Sequence, residues 1–159
     1  MDTASTLMGL GLLILFIAPV GYLVYTQSFQ EKKRAKKMAF LALQQGYNLH
    51  ETENINGLSL GLDILAKKFF LLKSGRESEL QVMDLEKVSK IELLKTDEDG
   101  YVTQNVDEIR EISLQMKSSD GKNKTLVFYA EEEDPVTQKS DRLDNAVKWQ
   151  KILQKYSQS

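Results

Sequence analysis

A long uncharged stretch near the N-terminus is the strongest pattern along the chain. Leu7 to Tyr25 reads LMGLGLLILFIAPVGYLVY and holds no charged residue. At about 1.5 Å per residue, a helix of this length spans about 28 Å, close to the hydrocarbon thickness of a bilayer. A helix also satisfies its own backbone hydrogen bonds, as a membrane-spanning segment must. The pattern therefore predicts a transmembrane anchor over residues 1–27.

A cleaved signal peptide is the alternative for this stretch. The apolar run is longer than the core of a typical signal peptide, no basic residue precedes it, and no small-residue cleavage motif follows. We therefore expect the segment to be retained as an anchor.

Residues 28–46 predict a basic juxtamembrane helix that continues the anchor as a stalk. The segment is rich in Lys, Ala, Leu and Gln, which favour helix, and Gly46 is well placed to end it. Its second half carries four large apolar residues that we expect to dock on the domain or on another helix rather than enter lipid: Met38, Phe40, Leu41 and Leu43.

The basic flank of the anchor predicts its orientation. Only Glu31 opposes a cluster of five basic residues, Lys32, Lys33, Arg34, Lys36 and Lys37. Because basic flanks stay in the cytoplasm, we expect a single-pass protein of the plasma (inner) membrane with its N-terminus outside and its C-terminal domain cytoplasmic. The five residues either contact anionic headgroups of the bilayer or act only as a topology determinant, and the second reading is favoured.

Residues 47–159 predict one domain of about seven antiparallel strands, because apolar residues recur at short, mostly alternating spacing. Leu58 to Ile64 alternates as a half-buried strand, and Lys67 to Lys73 is apolar on both faces. Turns are expected at Ser74-Gly75, Asp97 to Gly100 and Asp120-Gly121. The further strands are expected at 80–85, 89–95, 101–105 (weak), 111–117 and 125–129.

A C-terminal helix is predicted from about Asp141, as its cap, to Tyr156. Ala146, Trp149, Leu153 and Tyr156 fall on one apolar stripe, which is broadened by Leu143, Val147 and Ile152. Such a helix is expected to close the end of a barrel or to lie over one sheet. The predicted fold class is thus α+β, with a transmembrane helix and helical stalk before an antiparallel sandwich or barrel.

Seven strands followed by a helix that contains Trp149 resemble a pleckstrin-homology (PH-like) domain over Leu58 to Tyr156. The runs Leu60-Gly61-Leu62-Asp63 and Lys67-Lys68-Phe69, with Met83-Asp84-Leu85 and Val88, are also similar to a group of uncharacterised bacterial single-pass membrane proteins. The resemblance implies a PH-like cytoplasmic domain and brings no activity, cofactor or site residue with it.

Composition narrows the chemistry. The net charge of −2 includes the basic flank, so the domain itself is acidic, which argues against nucleic-acid binding. The chain has no cysteine and one histidine, His50, which excludes disulfides, thiolate zinc and histidine-clustered metal sites within one chain. No nucleophile–histidine arrangement or phosphate-binding glycine loop is present. We therefore expect no catalytic residue, metal or cofactor, and predict that the chain is not an enzyme.

Four basic residues border the second and third predicted strands: Lys67, Lys68, Lys73 and Arg76. In PH domains that bind phosphoinositides, the headgroup site lies in the corresponding hairpin, so these are candidate contacts for lipid or a protein partner. Glu77 and Glu79 dilute the charge, and a solvated hairpin is the favoured reading.

The anchor and the missing catalytic groups together predict a non-catalytic interaction or scaffold module, or an accessory subunit of a membrane complex, with the bilayer and an unidentified protein as partners. The alternative is a PH-like domain that senses anionic lipid headgroups. A third hypothesis is an enzyme or small-ligand binder whose pocket is not revealed by any sequence motif.

Overall fold

A helix of 42 residues, two antiparallel sheets and a C-terminal helix make up the fold in the computed structural model, which describes residues 3–55, 57–73 and 80–157. The predicted α+β class is confirmed. The helices are α1 (Thr3–Gln44) and α2 (Lys139–Ser157), and the strands are β1 (Glu51–Ile55), β2 (Leu58–Asp63), β3 (Lys68–Lys73), β4 (Leu80–Asp84), β5 (Val88–Thr96), β6 (Glu111–Ser118) and β7 (Lys124–Ala130).

Helix α1 runs without interruption through Pro19, so the predicted anchor and juxtamembrane helix are one element. An 18-residue window of α1 has a mean hydropathy of 2.1, and none of that window is buried. Within the described residues, α1 is the one helix long and apolar enough to cross a membrane.

A glycine cap ends α1. Gly46 has φ 85°, and its N–H donates to the Leu43 carbonyl at 2.9 Å. The N–H of Tyr47 donates to the Ala42 carbonyl at 3.0 Å. This pair of bonds is the Schellman motif, which needs a residue that tolerates positive φ. The predicted stop at Gly46 is confirmed.

The first sheet has the order β1-β2-β3-β4, and β2 is buried at every position. The prediction of a half-buried strand here was wrong. The face that carries Ser59, Gly61 and Asp63 is covered by α1 and by the connector after it, residues 45–50. β3 is apolar on both faces as predicted. Phe69 and Leu71 face the main core, while Phe70 and Leu72 face α1.

The second sheet has the order β5-β6-β7, and α2 packs against all three of its strands. Side chains from both sheets and α2 form the main core. The predicted stripe on α2 is confirmed at Ala146, Trp149 and Leu153, which are buried. The helix begins at Lys139, so Asp141 lies in its first turn and does not cap it.

One predicted strand is absent, and one observed strand was not predicted. Residues 101–105 form no strand, only an isolated bridge between Val102 and Thr96, so that prediction was wrong. The first strand, β1, has the polar sequence ETENI and was missed. The expected turn at Ser74-Gly75 lies outside the described residues, whereas Gly100 and Gly121 occupy turns with positive φ as expected.

Candidate functional site

The end of α1 is fastened to the outer face of the first sheet. Met38, Ala42, Phe70 and Leu72 are buried together, and we call this cluster the helix–sheet junction. The rings of Tyr47 and Phe70 lie 5.4 Å apart and extend the contact into the connector after α1. The junction is therefore the place where the N-terminal helix becomes part of the domain.

Gly61 permits this close approach. A Cβ atom at Gly61 would lie 2.9 Å from Cδ1 of Leu49 and 3.0 Å from Cε of Met38, both inside ordinary contact distance. The middle of β2 thus has no side chain because α1 and the connector occupy the space above it.

A polar contact fixes where α1 meets the sheet. Asn54 on β1 donates from its side-chain nitrogen to the Glu31 carbonyl at 3.2 Å, and the buried Ser59 hydroxyl donates to the Asn54 side-chain oxygen at 2.6 Å. Glu31 therefore lies beside the end of the sheet that carries the β1–β2 turn, whereas Met38 lies farther along β2, over Gly61. Helix α1 enters the domain from the β1–β2 turn end.

Asp63 holds the connector after α1. It is buried and accepts hydrogen bonds from the backbone N–H of Asn48 at 2.8 Å and of Ala66 at 2.9 Å. Burial alone would raise the pKa of Asp63, but these N–H groups and nearby His50 outweigh it, and the pKa lies below its ordinary value. The carboxylate is therefore a charged, satisfied structural group.

The predicted membrane-surface residues lie on α1 just before the junction. Lys32, Lys33, Lys36 and Lys37 are exposed and Arg34 is half-buried. The Lys33 ammonium lies 4.5 Å from the Phe29 ring centroid, a cation–π contact. Contact of these five residues with headgroups stays a prediction. Of the four apolar residues expected to dock, Met38 is buried, Leu41 is half-buried, and Phe40 and Leu43 are exposed.

The basic hairpin residues do not form one cluster. Lys67 pairs with Glu86 at 3.8 Å and Lys68 with Asp84 at 2.7 Å, all at the β2–β3 turn end of the sheet. The hydrogen bond from Lys68 is the main cause of the lowered pKa of Asp84. Lys73 is exposed at the opposite end of β3, and Arg76 lies outside the described residues.

Lys73 lines a cavity of about 330 Å³ at the end where α1 enters. Ile55 and Leu58 form part of its apolar wall, and the buried Arg142 also lines it. Arg142 donates from Nη2 to Gln138 Oε1 at 2.8 Å. Arg142 also forms an ion pair with Asp134 at 3.7 Å, and Glu133 lines the cavity as well, so the exposed Lys73 is the lining cation best placed to contact a ligand.

Metal and acid clusters add no further site in the part of the chain that the structure describes, where no group of three or more His, Asp or Glu residues could hold a metal ion. Asp97 Oδ1 accepts from the backbone N–H of Asp99 at 3.1 Å and of Tyr101 at 2.8 Å, as in an ordinary Asx turn. His50 is exposed, and its Nδ1 accepts from the Ile64 N–H at 3.3 Å.

The sequence predicted that Met38 docks, but it did not reveal the sheet residues beside the junction. Ser59, Gly61 and Asp63 were expected on the polar side of a half-buried strand, and Asn54 was assigned no role. The available signal was that the alternate positions of β2 are small or polar next to a helix with apolar residues, which permits close packing.

No family model, curated protein or solved structure matches this chain.

Proposed function

We propose that this chain is a membrane-anchored, non-catalytic interaction module, a scaffold or an accessory subunit of a membrane complex, that holds its domain at the cytoplasmic surface. The observation that carries the proposal is the fastening of α1 to the first sheet through Met38 and Ala42. An anchor that only tethers a domain needs no such contact. A buried junction fixes the orientation of the domain relative to the anchor, which serves a protein that presents one surface to a partner.

The helix geometry supports a position close to the lipid headgroups. Tyr25 ends the apolar run, and Glu31, whose carbonyl accepts a hydrogen bond from Asn54 of the domain, follows six residues later. At about 1.5 Å per residue this interval is about 9 Å, comparable with the headgroup layer on one side of a bilayer. The basic cluster favours the cytoplasmic side for the domain.

The arrangement of the sheets and α2 supports a PH-like fold as part of this proposal. Four- and three-stranded antiparallel sheets followed by a helix that buries Trp149 have the element order of the PH resemblance. PH-like domains are interaction modules, so this likeness supports the same functional class. Fold analogy by itself assigns no partner.

Affinity purification of the full chain from gently solubilised membranes tests the proposal. We expect at least one protein to be recovered in stoichiometric amount. The matched control is the same chain with Phe70→Asp, which places a charge in the junction and should release the domain from α1. If the wild-type chain brings down no stoichiometric protein, the proposal is contradicted.

Headgroup sensing is the second candidate, and the cavity beside Lys73 favours it because that cavity opens at the end where α1 enters. The full chain in nanodiscs should show stronger amide protection around Lys73 with anionic than with zwitterionic lipid, and the difference should shrink at high salt. Lys73→Glu should abolish the difference, whereas the control Lys67→Glu, at the other end of β3, should keep it. Equal protection in both lipids would exclude this function.

A further inference from the structure

The face of α1 opposite the junction carries a regular stripe of residues, which we call the outer stripe: Phe29, Lys33, Lys36, Phe40 and Leu43. Successive members are separated alternately by four and three residues, the spacing that keeps one face of a helix towards a partner helix. The buried residues Met38 and Ala42 lie on the other side of the same helix. The outer stripe is therefore turned away from the domain.

Large apolar side chains on this stripe are exposed. Phe40 is 59% exposed and Leu43 is 66% exposed, beyond the basic cluster. Phe40 follows Tyr25 by 15 residues, which is about 22 Å of helix and well past the headgroup layer. Lipid therefore does not cover these side chains if α1 continues straight out of the membrane.

A second copy of the chain fits the stripe poorly. In a parallel, twofold-symmetric pair, Lys33 and Lys36 would each meet their own equivalents in the other copy. Like charges in a helix–helix seam oppose association. The charge pattern instead requires acidic residues opposite the two lysines.

We propose that the outer stripe binds a helix of a partner membrane protein that runs parallel to α1 beyond the membrane. The partner helix carries Asp or Glu opposite Lys33 and Lys36, and apolar residues opposite Phe40 and Leu43. The partner is expected to be a membrane protein because its helix must leave the bilayer next to α1 and run in the same direction. This inference rests on the proposed interaction function and names the surface and the kind of partner that serve it.

Single-cysteine labelling tests the stripe, because the chain has no cysteine of its own. Phe40→Cys and Leu43→Cys are treated with a water-soluble maleimide in two settings: membranes of the source organism, and proteoliposomes that hold the purified chain alone. Ala39→Cys is the matched control, since Ala39 is exposed on the same turn but outside the stripe. We expect labelling at 40 and 43 in proteoliposomes and loss of it in native membranes, with labelling at 39 in both.

Charge reversal supplies the second readout. In native membranes, Lys33→Glu with Lys36→Glu should restore labelling at positions 40 and 43, because the reversed charges repel the acids of the partner helix. The corresponding reversal of Lys67 and Lys68, in the distant β2–β3 turn, should leave the protection unchanged. Protection that survives the Lys33/Lys36 reversal would overturn the acidic partner.

The other outcomes are also decisive. Equal labelling in both settings would overturn the stripe as a binding surface. Protection in proteoliposomes would overturn it as well: with disulfide-linked dimers of the cysteine variant the occupant is a second copy, and without them it is lipid. If a stoichiometric protein is recovered while the stripe stays accessible, the proposed function survives and this inference fails. If none is recovered, the proposed function itself fails.

Discussion

The two faces of the first sheet are buried in different ways. The inner face packs against the second sheet and α2 through apolar side chains such as Leu60 and Phe69. The outer face is covered by α1, and on this face strand β2 carries the small or polar residues Ser59, Gly61 and Asp63. The inner face thus holds the domain together, whereas the outer face joins the domain to α1.

The largest loss of stability is expected from a substitution in the main core, which the inner face of the first sheet helps to form. Leu114 on β6 is fully buried, so Leu114→Ala should lower the free energy of unfolding by about 2–5 kcal/mol through lost burial and a cavity. Denaturant unfolding of the full chain in detergent can be followed by the fluorescence of the single tryptophan, Trp149, which is buried against Phe69. The control Leu65→Ala, at a side chain 84% exposed, should change stability by less than about 0.5 kcal/mol. Equal effects of the two variants would refute this assignment of the core.

On the outer side, Asp63→Asn should cost about 1.5–3 kcal/mol at neutral pH, because the carboxylate accepts backbone hydrogen bonds as a charged group. The folded-state pKa of Asp63 lies below the ordinary 3.8, so its stabilisation is present above that pH and is lost as the pH falls through the lowered pKa. The stability difference between wild type and variant should therefore shrink on acidification below about pH 4. A difference that is independent of pH would show that the charge of Asp63 contributes nothing.

Gly61→Leu should disturb the contact between α1 and the outer face of the first sheet. The new side chain has no room beneath Leu49 and Met38, so the junction should open at a cost of about 1–3 kcal/mol. An added Ala42→Cys reports the opening, because the buried position 42 should become reactive towards maleimide. Gly61→Ala is the matched control and should be milder, since the atoms it meets are the ends of flexible side chains. Unchanged protection of position 42 in the Leu variant would mean that α1 does not need this gap.

Asn54→Ala should have the smallest effect. It removes the hydrogen bond to the Glu31 carbonyl and the one from Ser59, and we expect a loss of about 0.5–1.5 kcal/mol. Denaturant unfolding followed through Trp149 measures it, with the exposed Gln104→Ala as control. If Asn54→Ala lowered the free energy of unfolding as much as Leu114→Ala does, the polar contact would contribute as much to stability as the inner core, which would contradict this prediction.

Elements with a strong period were predictable from sequence. The apolar run of α1, the glycine cap at Gly46 and the stripe with Trp149 each rest on local rules that the tertiary structure obeys. β3 was also readable, since Phe69 to Leu72 are apolar on both faces and both faces are buried.

Elements shaped by contacts distant in sequence were not predictable. The polar residues of β1 form hydrogen bonds with other elements. Glu53 accepts hydrogen bonds from Lys148 and from the indole N–H of Trp149 on α2. β2 looked half-buried because alternation cannot reveal that a helix covers the polar face. The apolar residues of α1 predicted that this helix docks, but no local pattern indicates which strands of the sheet it meets.

Energy transfer from the domain to labelled lipid shows which end of the domain faces the bilayer. Fluorophores at Lys73→Cys and at Leu65→Cys, in the full chain in liposomes, report energy transfer to labelled lipid headgroups. Lys73 lies at the end where α1 enters, and Leu65 lies beyond the other end of β3, about 17 Å farther along the strand direction. If the helix–sheet junction fixes the domain to α1, transfer from position 73 is clearly stronger. Equal transfer from both positions, or stronger transfer from position 65, would contradict a domain fixed to its anchor through the helix–sheet junction.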